Sequence, residues 1–325
     1  MPPEVAAASQ SAHLGGYVKI QKVGTGSMGE VFKAWDQKEG RWVALKILRS
    51  NDMTQLARFV REAQVASGMN HPNITRIFDA GKDKGMWFIA MQFVAGHTLR
   101  AFPRTSRRIS VELMRDAARA LDYAHGKGTV HRDLKPENFM VQSKPKPGGN
   151  AKSIDGCTHH IFVMDFGIAR PSDASTQLTI PGTVMGSPSF MSPEQASGRE
   201  VDHRTDVYAL GATLYDRLCG KPPFESKNIF EGLRLVQETM PQRPRSIDPS
   251  IDPKLEAIVM KALEKDPAKR PQTATELAEA LDAWLLDNPP ASAAPIAAKK
   301  TGCGKAAVWL LAAGAAGAAL VQAMA

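Results

Sequence analysis

Cysteine is scarce in this 325-residue chain: Cys157, Cys219 and Cys303 stand far apart and form no CxxC pair. A disulfide-held scaffold is therefore not expected, and a reducing compartment is. Neither sign of charge dominates, since 41 Lys and Arg face 33 acids for a net +8. Three of those positive charges (Lys299, Lys300 and Lys305) lie in a C-terminal stretch without any acid, which leaves +5 for the rest. That surplus is too mild for a nucleic-acid protein. The N-terminus, MPPEVAAASQSAHLGG, has no basic region followed by an apolar run, so no signal peptide is read there. With 43% hydrophobic and 23% charged residues, the chain is not wholly disordered, nor a collagen, nor a polytopic membrane protein. At about 150 residues per domain, its length has room for roughly two folding units.

What is present changes character along the chain. Residues 1–15 are small and polar and read as a mobile leader. From residue 16 to about 94 the pattern is that of strands: YVKIQKV, EVFKAW, RWVALKIL and MWFIAMQF alternate β-branched or aromatic residues with polar ones. One helical stretch, Gln55 to Met69, interrupts them. From about 95 to 287 the period is helical. Leu113, Ala117, Ala120, Leu121 and Ala124 follow Ser110, a candidate N-cap, and Leu255, Ile258, Val259, Ala262 and Leu263 mark a second helix. Thr273 with Glu276 has the form of a capping box, ahead of Leu277, Leu281 and Trp284. A small β-rich lobe thus precedes a larger helical one, an α+β arrangement, and ligands favour the cleft between such units. Residues 288–305 are a Pro/Ala/Lys linker, and 306–325 are twenty residues without a charge.

Gly24, Gly26 and Gly29 form GxGxxG, a weak signal alone because dinucleotide-binding folds use the same spacing. In those folds the glycines open a helix. Here EVFKAWD and then WVALKIL follow, so the loop joins two strands. Without Cβ atoms, hairpin amides can fold over phosphates; a Gly-rich turn with no ligand is the bland alternative. Lys46, seventeen positions after Gly29, is either an edge lysine in water or a phosphate-gripping cation. In the second case it needs an anion to fix its rotamer, and Glu62 can supply one.

The run His131-Arg132-Asp133-Leu134-Lys135-Pro136-Glu137-Asn138, followed by Asp165-Phe166-Gly167 after the strand HIFVM, resembles the protein-kinase family, specifically the eukaryotic-like Ser/Thr kinases of bacterial type. The resemblance spans about Tyr17 to Leu286 and implies the bilobal kinase fold. It also implies roles. Val23 through Gly29 (Val23, Gly24, Thr25, Gly26, Ser27, Met28, Gly29) would cover the ATP phosphates, with Lys46 on them and Glu62 as its partner. Asp133 would accept or orient the proton of the attacking hydroxyl, Lys135 would neutralise the γ-phosphoryl, and Asn138 and Asp165 would hold Mg²⁺. Val31, Ala44, Met91 and Met140 match an apolar adenine pocket, for which plain core packing is the alternative, with Gln92 to Val94 as the hinge. The DLKPEN form implies Ser or Thr acceptors. Ser192-Pro193-Glu194 stands where the family usually has Ala-Pro-Glu, with Arg270 placed to pair with Glu194 and Asp206 to brace the catalytic loop. Phe190 replaces the commoner Tyr.

Arg132 needs an anion, which the resemblance supplies as a phosphate on the segment between Asp165 and Glu194. Thr179 and Thr183 lead as autophosphorylation sites, Ser175 and Thr176 follow, and Ser187 is assigned to peptide positioning. A homodimer is the expected vehicle for phosphorylation in trans. Asp165 lies 27 positions after Asn138, and the excess, about Ser143 to Thr158, reads as a surface loop. Cys157, His159 and His160 lack a fourth ligand by spacing, and Arg100, Arg104, Arg107 and Arg108 read as a solvated face, with contact to an acidic substrate or phosphate as the alternative. As a helix, residues 306–325 would span about 30 Å, the thickness of a hydrocarbon core. Ten of the twenty are Ala, so a soluble tail competes with the expected anchor, which would hold a cytoplasmic kinase domain at the inner membrane with no room for a sensor beyond it. The expected partners are proteins with Ser/Thr acceptors, and the competing functional reading is a catalytically silent pseudokinase scaffold, although Lys46, Asp133 and Asp165 are all present.

Overall fold

The computed structural model describes residues 2–6, 12–26, 29–48, 63, 67–104, 106–147, 156–166 and 188–290. Alternating side chains in the first third build a six-stranded sheet from β1 (His13–Leu14), β2 (Tyr17–Gly26), β3 (Gly29–Asp36), β4 (Arg41–Leu48), β5 (Ile77–Asp83) and β6 (Met86–Gln92), in the order β1-β2-β3-β4-β6-β5. Every neighbouring pair is antiparallel. Val43, Leu45 and Ile47 of β4 face one way and pack with Leu14, Tyr17, Ala34, Phe88 and Ala90. Their neighbours Ala44 and Lys46 therefore face the other way.

Beyond β6 the chain makes a small second sheet, β7 (His97–Thr98), β8 (Phe139–Pro145) and β9 (Cys157–Val163), and, among the described residues, five helices of ten residues or more. These are α1 (Arg107–Gly126), α2 (Arg204–Cys219), α3 (Ile229–Glu238), α4 (Pro253–Ala262) and α5 (Ala274–Asp287). α2 is buried along its whole length from Thr205 to Leu218, as a central helix must be. Its Gly211 is needed for contact, because a Cβ there would lie 2.6 Å from that of Ala262 on α4. The segment just before β5 meets β9 at a parallel bridge, Ile74 to Val163, where Thr75 N donates to Val163 O (3.0 Å) and Val163 N to Asn73 O (2.8 Å).

Local signals were mostly obeyed, with three differences. α1 starts a turn earlier than expected: Ser106 caps it by accepting from Ile109 N (3.3 Å), and Ser110 is inside, donating to Ser106 O. The added turn is held by Arg107, which donates to Ser250 O (2.9 Å), and by Arg108, which donates to Leu285 O (2.9 Å). Thr273 caps α5 as expected, accepting from Glu276 N, but the Glu276 carboxylate accepts from Gln272 N (2.7 Å) and not from Thr273. The described parts of the expected surface loop 143–158 extend the β8–β9 hairpin. Ser143 pairs with His159, Lys144 with Thr158 and Pro145 with Cys157, and Lys146 N donates to Gly156 O (2.9 Å). The expected helix 55–69 falls almost wholly outside the described residues.

The first compact unit ends at Asn288, and residues 289–325 are a separate one. Residues 291–325, which include the expected span 306–325, are outside the described residues. Among the described residues, no helix is long and apolar enough to cross a membrane.

Candidate active site

The site lies where the inner face of β4 looks onto the ends of β8 and β9. Lys46, opposite Val31 on β3 and Ile89 on β6, reaches across to Asp165, with Nζ 2.9 Å from Oδ2. Both groups retain exposure, 13% and 27%, so the pair is open to a ligand. Val31 and Ala44 are half-buried beside Lys46, and Met91 is buried at the register position opposite Ala44. Met140 sits on β8, paired with Thr98 and Phe162, while Gln92 ends β6 and Val94 follows it. Ser27, Met28 and Glu62 lie outside the described residues, so the Lys46–Glu62 pairing does too.

Of the glycine loop, Val23, Gly24, Thr25 and Gly26 end β2 and Gly29 opens β3, with Gly26 paired to Gly29. Gly29 is required by the sheet itself: its φ is +150°, and a Cβ would lie 1.9 Å from Ile47 O. Among the described residues, nothing lies within 4 Å of a Cβ placed on Gly24. The motif therefore mixes a packing glycine with one that the sheet does not need.

The loop from His131 to Asn138 folds around Asp133. Lys135 Nζ is 2.9 Å from Asp133 Oδ2, while Asn138 Nδ2 donates to Asp133 O (2.6 Å) and to Oδ2 (3.2 Å). His131 Nε2 lies 2.7 Å from Met164 O, so it carries the proton and leaves Nδ1 to accept from Asp133 N (3.3 Å). The backbone is bent at both ends of the site: Arg132 has φ +65° and Asp165 φ +56°. Non-glycine residues adopt this region at a cost, so neighbours must hold it. Asp206 does so from α2, accepting from His131 N (2.8 Å) and Arg132 N (2.9 Å), with His125 Nε2 at 2.8 Å. Gln195 adds a bond from Nε2 to Arg132 O (2.7 Å).

Behind this frame, Arg270 grips Glu194 with both η nitrogens, at 2.8 and 2.7 Å, and both side chains are buried. Burial alone would push the Glu194 carboxyl up, but hydrogen bonds and charge from Arg270 outweigh it and hold the group below its ordinary range. The pairing read from the sequence is present, as is the Asp206 brace. Phe190 is buried.

Several contributors were not foreseen. Gln195 closes a capping box with Ser192, so S-P-E-Q was the signal available for it. His125 carried no signal at all. The four arginines expected to form a solvated face are committed to partners: Arg100 to Glu137 and Asp216, Arg104 to Asp216 and Gly220 O, Arg107 to Asp248 and Arg108 to Glu112. His159 bonds Ser143 and meets Phe102, whereas His160 bonds Pro72 O beside Phe162. Thr179, Thr183, Ser175, Thr176 and Ser187 lie outside the described residues.

The donor set suits a hard divalent cation. Asp165 offers carboxylate oxygens, and Asn138 spends its amide nitrogen on Asp133, which turns its oxygen elsewhere.

Comparison with known proteins agrees with this geometry. Residues 17–281 match the family model of the protein kinase domain. The serine/threonine-protein kinase pkn3 of Myxococcus xanthus is 41% identical over 266 residues, which cover 78% of this chain and 47% of that protein. The serine/threonine-protein kinase PknB of Mycobacterium leprae is 38% identical over 268 residues, covering 78% and 40%. Among solved structures, the PknI kinase domain of Mycobacterium tuberculosis matches with a TM-score of 0.64 and 27% identity, over 85% of this chain and 99% of that one. The chain belongs to the protein kinase domain family. Its curated relatives are serine/threonine kinases, and it spans less than half the length of those two. Members of the family generally use ATP and Mg²⁺. Nothing in these comparisons supports the silent-scaffold alternative.

Proposed function

We propose that the chain is a Ser/Thr protein kinase, transferring the γ-phosphoryl of ATP to hydroxyls of protein substrates. The observation that carries this reading is that the Lys46–Asp165 pair and the Asp133–Lys135–Asn138 cluster are joined beside Asp165, where Met164 N donates to Asn138 O (2.9 Å). Phosphoryl transfer asks for placement and charge neutralisation more than covalent help, and this set offers both.

Val31, Ala44, Met91 and Met140 would bind the adenine, with Gln92 and Val94 at its edge and the loop Val23–Gly29 over the phosphates. Lys46 would ground the α/β-phosphates, with Glu62 as its second partner. Asn138 and Asp165 would hold Mg²⁺, which when bound neutralises phosphate charge. The acceptor hydroxyl would be oriented by the Asp133 carboxylate, which takes its proton, while Lys135 offsets charge on the transferred group.

Arg132 supports regulation by phosphorylation. Its Nε is buried without a hydrogen-bond partner among the described residues, a costly state that an added phosphate would relieve. Thr179 and Thr183 are the proposed acceptors, modified in trans within a homodimer. Residues 306–325 are proposed to tether a cytoplasmic kinase domain to the inner membrane. Incubation with Mg·ATP and a mixed protein acceptor, followed by phosphoamino-acid analysis and peptide mapping, tests the kinase and its regulation. Phosphoserine and phosphothreonine are expected, with label at Thr179 or Thr183. Absence of all label contradicts the kinase, and an unlabelled activation segment in active enzyme contradicts the regulation.

A further inference from the structure

Arg100 joins three parts of the acceptor side of the site. Its backbone N donates to Pro136 O (3.3 Å), inside the same loop that carries Asp133. Its Nε donates to Glu137 Oε1 (2.8 Å), next to Asn138, and its Nη1 donates to both oxygens of Asp216 on α2 (3.3 Å each). The guanidinium carbon lies 5.5 Å from the centroid of the Phe190 ring, just before Ser192. Its position is reinforced from beneath. Arg217 is buried and donates to Leu99 O (3.2 Å), Phe102 O (2.6 Å) and Pro103 O, so segment 99–103 is tied to α2 without a helix of its own. Arg104 shares Asp216.

Two consequences follow from the donor count. A guanidinium has five N–H groups, and Nε and Nη1 use three of them here. Nη2 makes no bond among the described residues, and the side chain keeps 37% of its surface exposed. Glu137, a partly exposed carboxylate in the loop that carries Asp133, is already paired with Arg100.

We propose that Arg100 is a specificity-determining residue: its free Nη2 receives an oxyanion side chain of the acceptor segment, a carboxylate or a phosphate, while its grip on Glu137 turns basic segments away. This deepens the kinase reading and rests on it. Arg100 places no group on the reacting atoms, so its effect falls on peptide choice and KM more than on the chemical step.

The test is a set of peptides sharing one Thr acceptor, with a single Asp, phosphoserine, Ala or Arg walked through the flanking positions. Wild-type enzyme is expected to favour Asp over Ala by about tenfold in kcat/KM at one position, the worth of one charge-assisted hydrogen bond. The phosphoserine arm shows which oxyanion is preferred. In Arg100→Ala the advantage disappears and Arg becomes favoured at that position, because Glu137 is released; Glu137→Gln keeps the preference for acid. Asp216 retains Arg104 in the first variant, and thermal melting checks that the fold persists. A flat or Arg-favouring wild-type profile overturns the proposal, as does an Asp preference that survives Arg100→Ala. Absence of transfer to every peptide, with no autophosphorylation either, overturns instead the kinase reading beneath it.

Discussion

Lys46 and Asp165 are 119 positions apart in the chain and in contact in the fold, Nζ to Oδ2 at 2.9 Å. The pair ties the inner face of β4 to the end of β9. Because it is partly solvated, its stabilising effect is small, on the order of 1 kcal/mol, and its importance is chemical. Lys46→Met should therefore melt close to wild type while turnover falls by about a hundredfold or more. A large fall in melting temperature would instead make Lys46 a structural residue.

Asp133 accepts from both Lys135 and Asn138, so an amide at its place keeps the shape and loses the base. Asp133→Asn is expected to bind Mg·ATP within a few-fold of wild type by calorimetry. Its kcat should fall by about 10² to 10⁴. Unchanged turnover would remove Asp133 from the proton's path.

Glu194 and Arg270 form the buried pair, and losing one partner strands a charge. Arg270→Met should cost about 3–5 kcal/mol in urea unfolding. The pH dependence has a definite sign. Glu194 has a folded-state pKa below its ordinary value, so its contribution is complete above the ordinary carboxylate range. It is lost as pH falls through the lower folded value. Glu194→Gln should flatten this acid limb of the stability curve; an unaltered limb would assign it to other carboxylates.

The glycine loop separates into two kinds of position. Gly29→Ala drives a Cβ into Ile47 O and should cost about 2 kcal/mol or more while disturbing the β3–β4 ladder. Gly24→Ala has room and should melt like wild type, with its effect confined to nucleotide affinity. Equal melting losses in both variants would contradict the distinction.

Much of this was legible in the chain because the determinants are local. Period-two runs marked β2, β3, β4 and β6, and the contiguous catalytic motif placed Asp133, Lys135 and Asn138 within one loop. What escaped depends on contacts between distant residues. Ser110 was read as the cap, and the helix instead starts after Ser106 because Arg107 and Arg108 find partners beyond position 247. The strand extension through Ser143–Pro145 is polar and Pro-containing, so its pattern argued for a loop, and only pairing with Cys157–His159 makes it a strand. Asp216 and Arg217 sit in the last turn of a buried helix, and their reason, segment 99–104, lies more than a hundred positions away.

The central claim is that one opening gathers the groups needed to move a phosphoryl group, and a single-turnover assay with γ-labelled Mg·ATP and a Thr peptide tests it most directly. Label should reach the threonine in wild type and arrive at least about a hundredfold more slowly in Asp165→Ala. No labelled peptide from folded wild-type protein, or equal rates in the two, would contradict it.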